Sequence, residues 1–141
     1  MRKVFLETHI LLSDFFHRYP DYGFMRNPGP EDRERLIALR EKIHENLLKM
    51  SLEPDVAVYT SVPALSRVAS LLSEWKVPGA LIREEISHWL SNLVVLDVKS
   101  QHLEAAVDVL SHPENQSIPF DEILNPLLCR ENGISEIFSI V

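Results

Sequence analysis

Apolar residues along this chain fall into two rhythms. Short unbroken runs, Val4-Phe5-Leu6, Val56-Ala57-Val58-Tyr59 and Leu93 to Leu96, have the continuity of strands buried on both faces. Ile137-Phe138 begins a last, shorter strand. Between them apolar residues recur at three and four positions, the period of a helix with one buried face. His9 to Tyr19 reads as such a helix, with Leu12, Phe15, Phe16 and Tyr19 on one side and Pro20 at its end. Glu31 to Met50 follows, through Leu36, Leu39, Ile43 and Leu47, with acids in its first turn. Ser61 can cap a third helix that Pro63 opens, striped by Leu65, Val68, Leu72 and Trp75 and stopped by Pro78-Gly79. Further helices are expected over 81–90, from Leu103 to Leu110, and over 121–132, the last closed by Gly133.

Pro126 leaves two readings of that last helix. It is interrupted within, at a cost of ~3 kcal/mol, or it starts late, with Asn125 as cap and Pro126 at its first position. Tyr22-Gly23 and Asn27-Pro28-Gly29-Pro30 mark a loop.

Strands alternating with helices imply an α/β fold, three layers in α/β/α order around a central parallel sheet of four to five short strands. One domain is expected across residues 1–141. In such sheets ligands bind beyond the carboxyl ends of the strands. Those ends bring Glu7, Thr60-Ser61, Asp97 and Ser139 to one edge.

Composition narrows the chemistry. No apolar run is long enough for a membrane span, and Arg2, Lys3 and Glu7 come too early for a secretory signal. The single cysteine, Cys129, can form no internal disulfide, which fits a reducing cytoplasm; on its apolar stretch it reads as core rather than nucleophile. The net charge of −7 is unevenly spread: residues 1–76 balance 11 basic against 11 acidic side chains, residues 77–141 set 3 against 10. A nucleic-acid surface therefore belongs, if anywhere, to the first half, at Arg33, Arg35, Arg40 and Lys42, a stretch that equally fits a solvated helix face. No pattern points to DNA in particular, and four glycines supply no phosphate-cradling loop.

Four segments together resemble the PIN domain family of small nucleases. Val4-Phe5-Leu6-Glu7-Thr8-His9 is similar to the family's opening strand and Asp-Thr-Asn, with Glu7 and His9 in the aspartate and asparagine places. Thr60-Ser61, followed by a helix, resembles its second signature, but Arg67 stands where the family has glutamate. Ile118-Pro119-Phe120-Asp121 resembles its third, and Glu136-Ile137-Phe138-Ser139 its last strand, with Val141 near the place of a fourth aspartate. The resemblance implies a ribonuclease of the toxin–antitoxin kind, often a homodimer, whose acids hold Mg²⁺ or Mn²⁺ to activate water on a phosphodiester.

Here that site is incomplete. Glu7 and Asp121 remain as metal-ligand candidates, each with a plainer reading: a strand-end acid paired with a base, and a helix-start acid facing the macrodipole. Asp97 is a further acid that could partly restore the set. Arg67 either bridges Glu7 and Asp121 in place of the metal or points to solvent. His9 sits beside this edge without a serine or cysteine partner. Asp14 and Glu74 read as helix-surface acids, and the aromatics Phe15, Phe16, Tyr19, Tyr22 and Phe24 as core or as a contact surface. The expectation is thus a degenerate PIN domain, weakly active or inactive, that binds protein or RNA. An active metal-dependent endoribonuclease with an antitoxin partner is the alternative.

Overall fold

The computed structural model describes residues 1–24 and 29–139. Four strands, β1 (Arg2–Leu6), β2 (Val56–Ser61), β3 (Val94–Leu96) and β4 (Glu136–Phe138), form one sheet. Their order is β3-β2-β1-β4, and every pairing is parallel. Among the described residues six α-helices connect them: α1 (Thr8–Arg18), α2 (Pro30–Leu52), α3 (Val62–Glu74), α4 (Gly79–Asn92), α5 (Ser100–Leu110) and α6 (Phe120–Glu131).

The alternation of side chains along β1 divides the core. Val4 and Leu6 join α1, α2, α3 and α4 in the larger cluster, with Phe15, Val68, Leu72 and Trp89. Phe5 faces the other way, onto Leu128 and Cys129 of α6, and a satellite cluster joins α5 to α6. Helices thus cover both faces, and the three-layer α/β/α architecture expected from the pattern is the one observed. Burial raises the pKa of the Cys129 thiol to about 11, so it is a protonated core group.

Element ends moved by a few residues, for local reasons. Helix α3 stops at Glu74, before Pro78-Gly79, because Lys76 takes a left-handed conformation (φ 59°) and Val77 N–H returns to the Leu72 carbonyl at 3.0 Å. Gly133 (φ 67°) does the same for α6, as expected of it. Helix α6 runs through Pro126, which excludes the late start; the proline merely has no N–H to offer the Glu122 carbonyl. The loop expected around Asn27-Pro28 lies outside the described residues, and so does Val141.

Two polar expectations change. Arg40 is buried rather than solvated, with its guanidinium 4.9 Å from the Phe16 ring and Nη2 donating to the Gly23 carbonyl at 3.2 Å. A side chain at Gly23 would collide with it, since a Cβ there falls 2.4 Å from Arg40 Nη1. Asp14 is no surface acid; it is 3 % exposed, because its face of α1 turns toward α2 and α4. Arg18 Nε donates to it at 3.0 Å and His44 Nδ1 lies 2.7 Å away. Arg18 also donates to the buried Glu85 at 2.5 Å, and Trp89 Nε1 donates to Glu85 at 2.7 Å. Burial pulls the Arg18 pKa down, but the bonds to Glu85 and Asp14 outweigh it and leave it raised. The aromatic group is core: Phe15 and Phe16 are buried, and Tyr19 and Tyr22 pack against them. The Phe24 side chain lies outside the described residues.

Candidate acidic site at the carboxyl edge of the sheet

Glu7 leaves β1 and becomes the N-cap of α1, where its carbonyl accepts from Ile10 and Leu11 N–H. Its backbone is fixed from the neighbouring strand. Thr60 Oγ1 of β2 donates to the Leu6 carbonyl at 2.9 Å, extending the β1–β2 ladder to the residue before Glu7. Ser61 is fully buried and does two things. Its Oγ accepts from Ala64 N–H at 3.1 Å, capping α3, and donates to Asn125 Oδ1 of α6 at 2.5 Å. The threonine–serine pair is therefore scaffolding: it sets α3 and α6 at fixed places around the strand ends.

Asp121 stands in the first turn of α6, its side chain 10 % exposed. Both carboxylate oxygens have donors. Arg67 Nη1 of α3 lies 3.1 Å from Oδ1, and Thr8 Oγ1 of α1 donates to Oδ2 at 3.3 Å. Three helices thus meet on this carboxylate. Beside it a cavity of about 210 Å³ is lined by Glu7, Thr8, His9, Asp121 and Glu122, with Asn125 in its wall. His9 is exposed at its rim.

Glu122 is the acid that sequence reasoning passed over. It follows Asp121 directly, and the first turn of a helix aims successive residues about 100° apart, so no spacing rule singles it out. Asp97 is exposed beyond β3, with β2 between it and β1, and it does not line the cavity. Among the described residues no three His, Cys, Asp or Glu side chains converge closely enough to hold a metal ion. Glu7, Asp121 and Glu122 share a cavity without sharing a point, and a guanidinium already lies against the best placed of them.

This architecture has a solved counterpart. The crystal structure of Mycobacterium tuberculosis VapC20, described as a sarcin-ricin-loop-cleaving toxin, is similar with a TM-score of 0.60. The match covers 98% of this chain and 89% of that one. The fold is PIN-like. At 16% sequence identity the likeness is one of backbone path, and the chemistry rests on this chain's own residues. No protein-family model matches the sequence, and no curated protein matches it. A PIN-like nuclease site would want a divalent cation. The donor set found here does not suit one: Asp121 is engaged on both oxygens, and Arg67 puts a positive charge where the ion would need carboxylates.

Proposed function

We propose that this chain is a degenerate PIN-type nuclease in which Arg67 stands in for the metal, and that it works by binding rather than by cleaving RNA. The observation that carries this reading is the Arg67–Asp121 pair. A guanidinium satisfies a carboxylate through directed N–H donors, but it cannot lower the pKa of a water as a divalent cation does. A protein partner, antitoxin-like or a second copy, fits the charge better than RNA does. The half of the chain after residue 76 is strongly acidic, and RNA would be confined to the exposed Arg33, Arg35 and Lys42 of α2. We place it in the cytoplasm on the strength of its one buried, unpaired cysteine.

An active Mg²⁺- or Mn²⁺-dependent endoribonuclease is the second reading. Three acids on one cavity favour it, provided Arg67 swings aside when a cation arrives. Incubation with RNA and Mn²⁺ separates the two. No cleavage above a Glu7→Gln, Asp121→Asn double variant is expected. Cleavage that the double variant abolishes would overturn the binding reading. Titration calorimetry with Mn²⁺ adds a second arm: Arg67→Glu, which replaces the cation by a ligand, should gain metal affinity that the wild-type chain lacks.

A further inference from the structure

A cavity of about 450 Å³ lies between α2 and α4, on the face of the sheet away from α6. That size falls within the range of small-molecule sites, ~300–1,000 Å³. Its walls are largely apolar, with Val58 of the sheet, Leu47 and Met50 of α2, and Trp89 of α4. The Trp89 ring is fixed there, because its indole N–H donates to Glu85 at 2.7 Å. Asp14, Arg18 and His44 also line the cavity, as one connected polar cluster. Ser51, His88 and Asn92 border it too, but they are exposed to water and discriminate little between ligands. An apolar chamber with a few convergent polar groups is the general form of a ligand site.

The hydrogen bonds already made in that cluster decide which ligands it suits. Both Asp14 oxygens are taken, Oδ2 by Arg18 Nε at 3.0 Å and Oδ1 by His44 Nδ1 at 2.7 Å. Glu85 is 2% exposed and does not line the cavity. Neither acid is open to a cationic ligand. Arg18 is different. It gives Nε to Asp14 and Nη2 to Glu85, and a guanidinium has five N–H donors. Among the described residues the two on Nη1 have no acceptor, and the side chain is 29% exposed. The cavity therefore offers a donor and asks for an acceptor. Charge then sorts the acceptors. Arg18 already faces two carboxylates, so even a protonated His44 brings the cluster only to neutrality. A third carboxylate would meet repulsion and lose its own hydration. An uncharged carbonyl oxygen takes the N–H without either cost.

We infer that this cavity binds a small, uncharged, apolar molecule carrying a carbonyl group, its body against Leu47, Met50, Val58 and Trp89 and its oxygen on Arg18 Nη1. This site is separate from the acidic edge and does not rest on the proposed loss of nuclease activity. The full chain can be titrated with 4-phenylbutan-2-one, 4-phenylbutan-2-amine, 3-phenylpropanoate and butylbenzene, four probes of similar shape with a neutral acceptor, a cation, an anion and no polar group. Calorimetry should place the ketone roughly tenfold above each of the others. The Trp89 indole N–H and Arg18 Nε–H resonances should move on binding, while the amide of Asp121 stays. Arg18→Lys keeps the charge between the two acids but removes the fork of donors. It should lower ketone affinity roughly tenfold and leave butylbenzene unchanged. Because Arg18 supports the fold, Leu47→Phe gives an independent arm. It fills the chamber without touching the charges, and it should abolish binding of both ketone and butylbenzene with an unchanged circular-dichroism spectrum. Equal or tighter binding of the amine or the carboxylate, no binding by any probe, or full binding by folded Leu47→Phe would each overturn the assignment. So would a concentration-dependent dimer in sedimentation that Leu47→Phe disrupts, since that would give the face to a second copy.

Discussion

Two arginine–aspartate pairs lie on opposite sides of the sheet, and taken alone they are nearly the same object. Arg18 sits 3.0 Å from Asp14 and Arg67 sits 3.1 Å from Asp121. The arginine side chains are 29% and 33% exposed. Their surroundings differ. Around Asp14 the donors and acceptors close into a circuit, with His44 on its other oxygen and Glu85 tied to both Arg18 and Trp89. Both acids border a cavity, but the one at Asp121 holds two more acids, Glu7 and Glu122, whereas the one at Asp14 is lined mainly by apolar side chains. Distance and burial do not distinguish a structural pair from a site. What distinguishes them is their company: a second arginine bond, an imidazole and an indole tie the acids at Asp14 together, whereas further acids line the cavity at Asp121.

The sharpest way to break this comparison is to remove each cation in turn. Arg18→Ala strands two buried carboxylates, so urea unfolding should show a loss of ~3 kcal/mol or more. Arg67→Ala strands one carboxylate that still has Thr8 and open cavity beside it, and the loss should be ~1 kcal/mol or less. Equal losses would mean that the acidic edge is as much a structural element as the Asp14 network. A weaker effect comes from a lone buried acid, the Cys129 thiol. Its folded pKa of about 11 lies above the ordinary 9.0. The sign follows directly: the unfolded chain gives up this proton first. The thiol's contribution is therefore complete below pH 9 and is lost as pH rises through about 11. The stability of wild type relative to Cys129→Ala should fall across that window and stay flat below it.

Much of the scaffold could be read from the chain because its signals are local. Unbroken apolar runs marked β1, β2 and β3, and the Ser61 and Pro63 pair marked the start of α3. The PIN resemblance brought Glu7, Arg67 and Asp121 into one discussion, and Arg67 does meet Asp121 across 54 positions of sequence. The Asp14 network had only a faint local trace, Arg18 at the fourth position along the same helix. His44 and Glu85 come from α2 and α4, and nothing in α1 announces that those helices will arrive. Pro126 misled for a related reason. Its cost is local, but Ile123, Leu124, Leu128 and Cys129 bury one face of α6 against β1 and α5 and hold the helix together across it.

The two outer strands of the sheet carry a consequence for self-association. β3 and β4 have three residues each, and each already pairs with an inner neighbour along that length. Such brief rims offer a passing strand almost no ladder to extend, which guards against edge-to-edge stacking and fibril growth. Helix faces offer a second copy more surface. α5 shows it Leu103 and Val107, one turn apart and about half exposed. Complexes built that way are held by side chains, so they can be retuned or dissolved by single substitutions without disturbing the sheet within.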